Sequence, residues 1–316
     1  DTGPARAAHH AFVPGRTFRS AAPPRGPERT VEYDLSITLN RFGFHGPDHA
    51  PLREPGKGRI ALVGDSMVEA FQVSREEGLG ARLEAGLPGT EVLAFGKSGH
   101  STIKQDRILA ELPLLLREGE RTDLPDAVVF AVHGPYAVRQ TLVDFVRPAA
   151  LWRRGLSWAL LHYTGPSRLL LEVRDSVLVR LEVPTEDLLE EAARAFRPGR
   201  TSDLGERAWA LLGKALGEQV RWCRERGVRP IYAYIPDLSE IPAPDARRDT
   251  DAIARRFEGM AKAAGADWID LTAGMRRAAA GGEPLFLKYD QHLTARGHAV
   301  AGALLAERLR PLLEGK

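Results

Sequence analysis

The sequence predicts a three-layer α/β fold with a parallel central sheet, an N-terminal arm and a mid-chain insertion. Three observations carry this. Five short, nearly continuous apolar runs recur along the chain, most of them ending in turn residues. Stretches of helical period separate them. One long segment, residues 137–202, breaks the alternation. Strands that are apolar on both faces are covered on both faces, which is the condition of a parallel sheet between helices.

The elements run in order along the chain. Residues 1 to about 30 hold Pro4, Pro14, Pro23, Pro24 and Pro27 and read as an extended arm with little structure of its own. Thr30 to Leu39 alternates well enough for a short strand pair. Residues 1–56 are thus an arm and strand pair packing on the core, and 57–316 the α/β domain. The five runs are Arg59–Val63, ending at Gly64; Glu91–Phe95, ending at Gly96; Asp126–Val132, ending at His133-Gly134; Val228–Ile235, ending at Pro236-Asp237; and Ala266–Leu271. Asp203–Arg226, Ala252–Ala264 and Ala295–Leu313 have the helical pattern. Five such strands suit a doubly wound, flavodoxin-like order, with ligands at the carboxyl ends of the strands. The insertion carries Trp152, Trp158 and Tyr163 and the alternating run Ser176–Val183, and reads as mixed helix and hairpin near the site.

Composition narrows the class. Apolar residues at 43% and charged residues at 27% are the balance of a globular chain able to bury a core without staples. One cysteine, Cys223, excludes an intrachain disulfide framework. A net charge of +2 with scattered basic residues offers no nucleic-acid stripe. The longest apolar candidate, Leu156–Leu161, is far too short to span a bilayer. The first strand leads into Gly-Asp-Ser and not Gly-x-Gly-x-x-Gly, which disfavours dinucleotide binding.

Three segments carry chemistry. Gly64-Asp65-Ser66 ends the first core strand and places the Ser66 hydroxyl at the start of a helix, Met67–Phe71, where a helix dipole favours negative charge. Alone it reads as a helix cap. Asp290-Gln291-His292 precedes the last helix; Asp290 can orient one ring nitrogen of His292 while the other faces Ser66. Alone these are a surface pair. Gly96-Lys-Ser-Gly99-His100-Ser-Thr102 comes after the second strand, where glycine lets backbone N–H groups approach a developing oxyanion, or serves an ordinary turn. All three converge on one crevice if the sheet order holds. Asp65 reads as a structural carboxylate at its turn, Asp237 as a cap or a crevice residue. His9-His10 has no metal-ligand pattern, and Trp152 and Trp158 read as packing before pocket lining.

These residues resemble the SGNH (GDSL-type) hydrolases. Arg59-Ile-Ala-Leu-Val-Gly-Asp-Ser66 is similar to the first block, whose serine is the nucleophile, and Met67–Val73 is similar to the segment that commonly succeeds that block. Val92–Gly99 is similar to the second block, which implies that Gly99 and Ser66 donate N–H groups to the oxyanion. Asp290–His298 is similar to the last block, which implies Asp290 and His292 as partners of Ser66. Asn40–Gly46 resembles a bacterial lead-in. The resemblance covers roughly 33–136 and 228–313 and leaves out the insertion. One block departs from it. Where the family has Gly-x-Asn-Asp, the chain has His133-Gly134-Pro135-Tyr136, so the oxyanion donor falls on Pro135, which donates nothing. His133 is then the better substitute donor, with His100 and Tyr136 behind it and Tyr136 more readily a packing residue.

The resemblance implies a serine-dependent ester hydrolase acting on a carbohydrate, lipid or small-molecule ester. An O-acyltransferase on a sugar or natural-product hydroxyl is the alternative, and a binding protein that has lost catalysis is a third. No metal or organic cofactor is required. The lead-in and the missing initial methionine favour an extracytoplasmic location. Oligomeric state is open.

Overall fold

A computed structural model describes residues 13–146, 203–244 and 249–314. Trp152, Trp158, Tyr163 and the run 176–183 of the expected insertion lie outside the described residues.

The core strands are β3 (Gly58–Gly64), β4 (Thr90–Gly96), β7 (Ala127–His133), β8 (Arg229–Ile235) and β9 (Asp267–Asp270). They form one parallel sheet in the order β4-β3-β7-β8-β9. The first core strand therefore lies inside the second, and the order in which the chain adds strands reverses between the parallel neighbours β3 and β7. This is the doubly wound order expected from the sequence, with its crevice where the reversal falls.

Strand period divides the core in two. Ala61, Val63, Leu93, Phe95, Val128 and Phe130 face one layer, covered by α3 (Gln105–Leu115), α5 (Asp203–Arg224) and α6 (Ala252–Ala264). Ile60, Leu62, Val92, Ala94, Val129 and Ile231 face the other, covered by α2 (Leu79–Gly86), α7 (Thr272–Ala279) and α8 (Ala295–Glu314). Trp209, Leu212, Leu216, Val220 and Cys223 recur at helical spacing and give α5 its buried face. The α6 helix ends because Gly265 adopts the left-handed conformation, φ 83°.

The arm differs from expectation. The strand β2 (Asp34–Thr38) pairs antiparallel with β1 (Thr17–Ala21), drawn from the proline-rich stretch, and not with a neighbour inside 30–39. Pro23, Pro24 and Pro27 occupy the connection between the two strands. Phe18 of β1 packs edge-on against Phe71, 5.1 Å between ring centroids, and anchors the strand. Asn40 organises the loop beyond β2: its Oδ1 accepts the N–H groups of Phe42 and Phe44, each at 3.0 Å. A two-residue ladder, β5 (Arg117–Glu118) with β6 (Arg121–Thr122), links α3 to β7. No helix among the described residues is long and apolar enough to cross a membrane.

Candidate active site

The helix carrying Ser66 is one turn long. The α1 helix (Ser66–Glu69) is capped by Asp65, whose Oδ1 accepts the Met67 N–H at 2.9 Å, and stops where Ala70 turns left-handed, φ 55°. The expected helix to Phe71 is cut short by that turn. Gly64 and Gly96 let β3 and β4 press against α1. A Cβ on Gly96 would lie 2.0 Å from the Glu69 N, and one on Gly64 2.4 Å from Val68 Cγ2.

His292 reaches Ser66 from 226 residues away in sequence, Nε2 to Oγ 2.7 Å. Its Nδ1 bonds the Asp290 Oδ1. A small hairpin presents both residues: Phe286 bridges Leu293, and Leu287 donates its N–H to the His292 carbonyl at 2.8 Å. Between them Gln291 sits at φ 67°, a left-handed position that costs a non-glycine residue roughly 1–2 kcal/mol. Partial burial opposes ionisation of Asp290. The bond and charge of His292, together with a hydrogen bond from Tyr33, outweigh this and hold its carboxyl below the ordinary value.

Gly99 lies on the facing loop. The His100 N–H bonds the Lys97 carbonyl at 3.1 Å around a turn in which Gly99 has φ 75°. A Cβ there would meet nothing within 4 Å, so the backbone conformation and not space calls for glycine. Glu69 ties this loop to α1: its Oε2 accepts the Ser98 N–H at 3.1 Å and the Ser98 hydroxyl. Burial pushes the Glu69 carboxyl up to about 6. The sequence alone does not single out Glu69, and its only local signal is its place three residues after Ser66.

His133 ends β7, buried. Its Nδ1 lies 3.3 Å from Asp65 Oδ2 and its Nε2 3.9 Å from Asp237 Oδ2. Burial works against the charged ring, but Asp65, Asp237 and Glu240 raise its pKa above the ordinary histidine value. Both nitrogens thus face carboxylates, on the loops that follow β3 and β8. Pro135 occupies the first turn of α4 (Gly134–Thr141), where its missing N–H costs nothing. Tyr136 stacks on His133 at 5.5 Å, with Arg139 over its ring. Asp237 caps a short 3-10 turn, accepting the Ser239 N–H at 2.7 Å, while Glu240 accepts its N–H at 2.9 Å. Burial pushes Glu240 up to about 7 despite a 2.5 Å bond from Tyr234. His100 is buried beside the Gly99 turn. His298, on α8, is buried too and driven down to about 3 by burial and by the nearby His292, His45 and Arg82. Among the described residues no group of three or more His, Cys, Asp and Glu is arranged to hold a metal ion.

The arrangement is thus an α/β domain with a hydroxyl–imidazole–carboxylate chain at the carboxyl edge of a doubly wound sheet. Residues 212–316 match the family described as ALGX: SGNH hydrolase-like domain, acetyltransferase AlgX. The matched segment holds Asp290 and His292, while Ser66 lies outside it. Several solved structures are similar in fold. A member of the lipolytic protein G-D-S-L family from Veillonella parvula is 12% identical over 79% of this chain and 96% of its own, with a TM-score of 0.44. A carbohydrate esterase family 2 enzyme from Corynascus thermopiles (Myceliophthora fergusii), with its carbohydrate binding domain, is 14% identical over 92% and 75%, TM-score 0.45. A catalytic mutant of the acetylxylan esterase Axe2 from Geobacillus stearothermophilus is 16% identical over 82% and 95%, TM-score 0.42. No curated protein sequence matches the chain.

Proposed function

We propose that the protein is a serine-dependent acyl-ester enzyme, acting as a hydrolase on a carbohydrate, lipid or small-molecule ester. One observation carries this reading: the continuous hydrogen-bonded chain from Ser66 Oγ through His292 to Asp290. A serine hydroxyl is a weak nucleophile until a base takes its proton. In the proposed reaction His292 Nε2 accepts the Ser66 proton as Oγ attacks the acyl carbonyl. Asp290 holds the Nδ1–H tautomer and offsets the charge of the imidazolium. The oxyanion is received by the N–H groups of Ser66 and Gly99. His292 then returns the proton to the leaving alcohol, and water releases the acyl group from Ser66.

Transfer to an acceptor hydroxyl in place of water is the second reading, favoured by the acetyltransferase in the description of the family matched by residues 212–316. Hydrolysis of p-nitrophenyl acetate, with and without added sugar acceptors, tests both. Turnover that disappears in Ser66→Ala supports the common mechanism, and a rate that rises with acceptor while acylated acceptor accumulates supports transfer. Turnover unchanged in Ser66→Ala would sink both.

A further inference from the structure

The residues that fix Asp290 come from the opposite end of the chain. Glu32 and Tyr33 lie on the arm between β1 and β2. The Glu32 carboxylate accepts the Tyr289 N–H at 3.0 and 3.1 Å and the Asp290 N–H at 2.8 Å. The Tyr33 hydroxyl donates to Asp290 Oδ2 at 3.2 Å, across 257 residues of sequence. The arm passes close over this loop: a Cβ on Gly26 would lie 2.1 Å from the Tyr289 hydroxyl.

Asp290 is therefore held at three points. Oδ1 bonds His292, Oδ2 bonds Tyr33 and the backbone N–H bonds Glu32, so the arm supplies two of the three. The next residue, Gln291, holds an unfavourable left-handed backbone. Such a conformation persists only where its surroundings over-determine it. Without the arm, the loop would keep the Phe286–Leu293 bridge and the backbone bonds between Leu287 and both Gln291 and His292, but the Asp290 carboxylate would be held by His292 alone among the bonds named above. Rotation of the Asp290 carboxylate would carry the imidazole away from Ser66.

We propose that Glu32 and Tyr33 are positioning residues that set Asp290, and through it His292, against Ser66. This rests on the functional reading above. The stretch between β1 and β2 is on this account part of the working enzyme. A misplacement of about 1 Å at a reacting group costs up to about 100-fold in rate, so loss of either contact should slow the chemical step without weakening substrate binding.

The test uses the full chain and two readouts: the second-order rate of labelling by a fluorophosphonate, and kcat and KM for p-nitrophenyl acetate. Glu32→Ala and Tyr33→Phe should each lower the labelling rate and kcat by about tenfold or more, with KM within about twofold of wild type. Glu32→Gln keeps an acceptor oxygen and should recover most of the loss. Arg19→Ala removes an exposed β1–β2 ion pair on the same arm and should leave both readouts unchanged. Labelling of Glu32→Ala and Tyr33→Phe at the wild-type rate would overturn this inference alone. So would a Glu32→Gln variant as slow as Glu32→Ala with an equally lowered melting temperature, since that pattern marks a merely structural contact. Wild-type protein that is not labelled at Ser66 would overturn the functional reading, and this inference with it.

Discussion

Replacing Glu69 by glutamine keeps the shape of the side chain and removes its charge. Glu69 is 2% exposed, its Oε2 serves Ser98, and its Oε1 is buried without a hydrogen-bond partner among the described residues. Desolvation outweighs the bonds from Ser98 and the charge of Lys97, lifting the carboxyl from 4.5 to about 6. A rise of roughly 1.5 units at about 1.36 kcal/mol each is about 2 kcal/mol. The raised value means that the folded state disfavours the ionised form. The contribution of Glu69 to stability is thus full below about pH 4.5 and is lost as pH climbs through about 6. Glutamine cannot ionise. Urea unfolding of both proteins between about pH 4 and pH 8 should therefore show the variant gaining about 2 kcal/mol on the wild type across that window. A stability difference that stays flat with pH, or moves in favour of the wild type, would refute the assignment of a buried, destabilised carboxylate beneath the Gly99 loop.

Three further outcomes are expected. Asp290→Asn offers one acceptor oxygen where two donors, His292 Nδ1 and the Tyr33 hydroxyl, now converge; the imidazole can then take the wrong tautomer, and kcat for p-nitrophenyl acetate should fall by roughly 10⁴-fold with the fold intact by circular dichroism. Gly96→Ala places a methyl 2.0 Å from the Glu69 backbone and should cost about 3 kcal/mol in urea unfolding, with slower turnover, because α1 must move. Arg59→Met strands the buried Glu91, which Arg59 now meets at 2.5 Å, and should cost about 3–5 kcal/mol in the same assay while leaving KM unchanged, because the pair lies at the far end of β3 from Ser66.

The sheet was legible because its strands are apolar on both faces and punctuated by turn residues, so that Ile60–Val63 and Val128–Val132 could be read without a partner in view. Its order followed from the number of strands and the helices between them. The pairing of β1 with β2 was not legible, because Phe18 gains its anchor from Phe71, a tertiary contact with no local trace. Ser66, Asp290 and His292 each read alone as a helix cap or a surface pair, and only their combination and its resemblance to a family pattern singled them out. Glu32 and Tyr33 could not be named, since a carboxylate and a phenol on an arm mean nothing until the arm is seen against a loop 257 residues away. His133 shows the reverse case. Its residue type suits an oxyanion donor, while the fold turns its two nitrogens toward Asp65 and Asp237, 3.3 and 3.9 Å away, and carboxylates brought in from neighbouring strands are visible only in the folded chain.

The most direct measurement of the central claim is peptide mass spectrometry after brief exposure of the protein to a fluorophosphonate. The 2.7 Å contact between Ser66 Oγ and His292 Nε2 predicts a single adduct on Ser66, absent from Ser66→Ala and strongly reduced in His292→Ala. An adduct on another residue, or equal labelling of Ser66 when His292 is replaced, would contradict it.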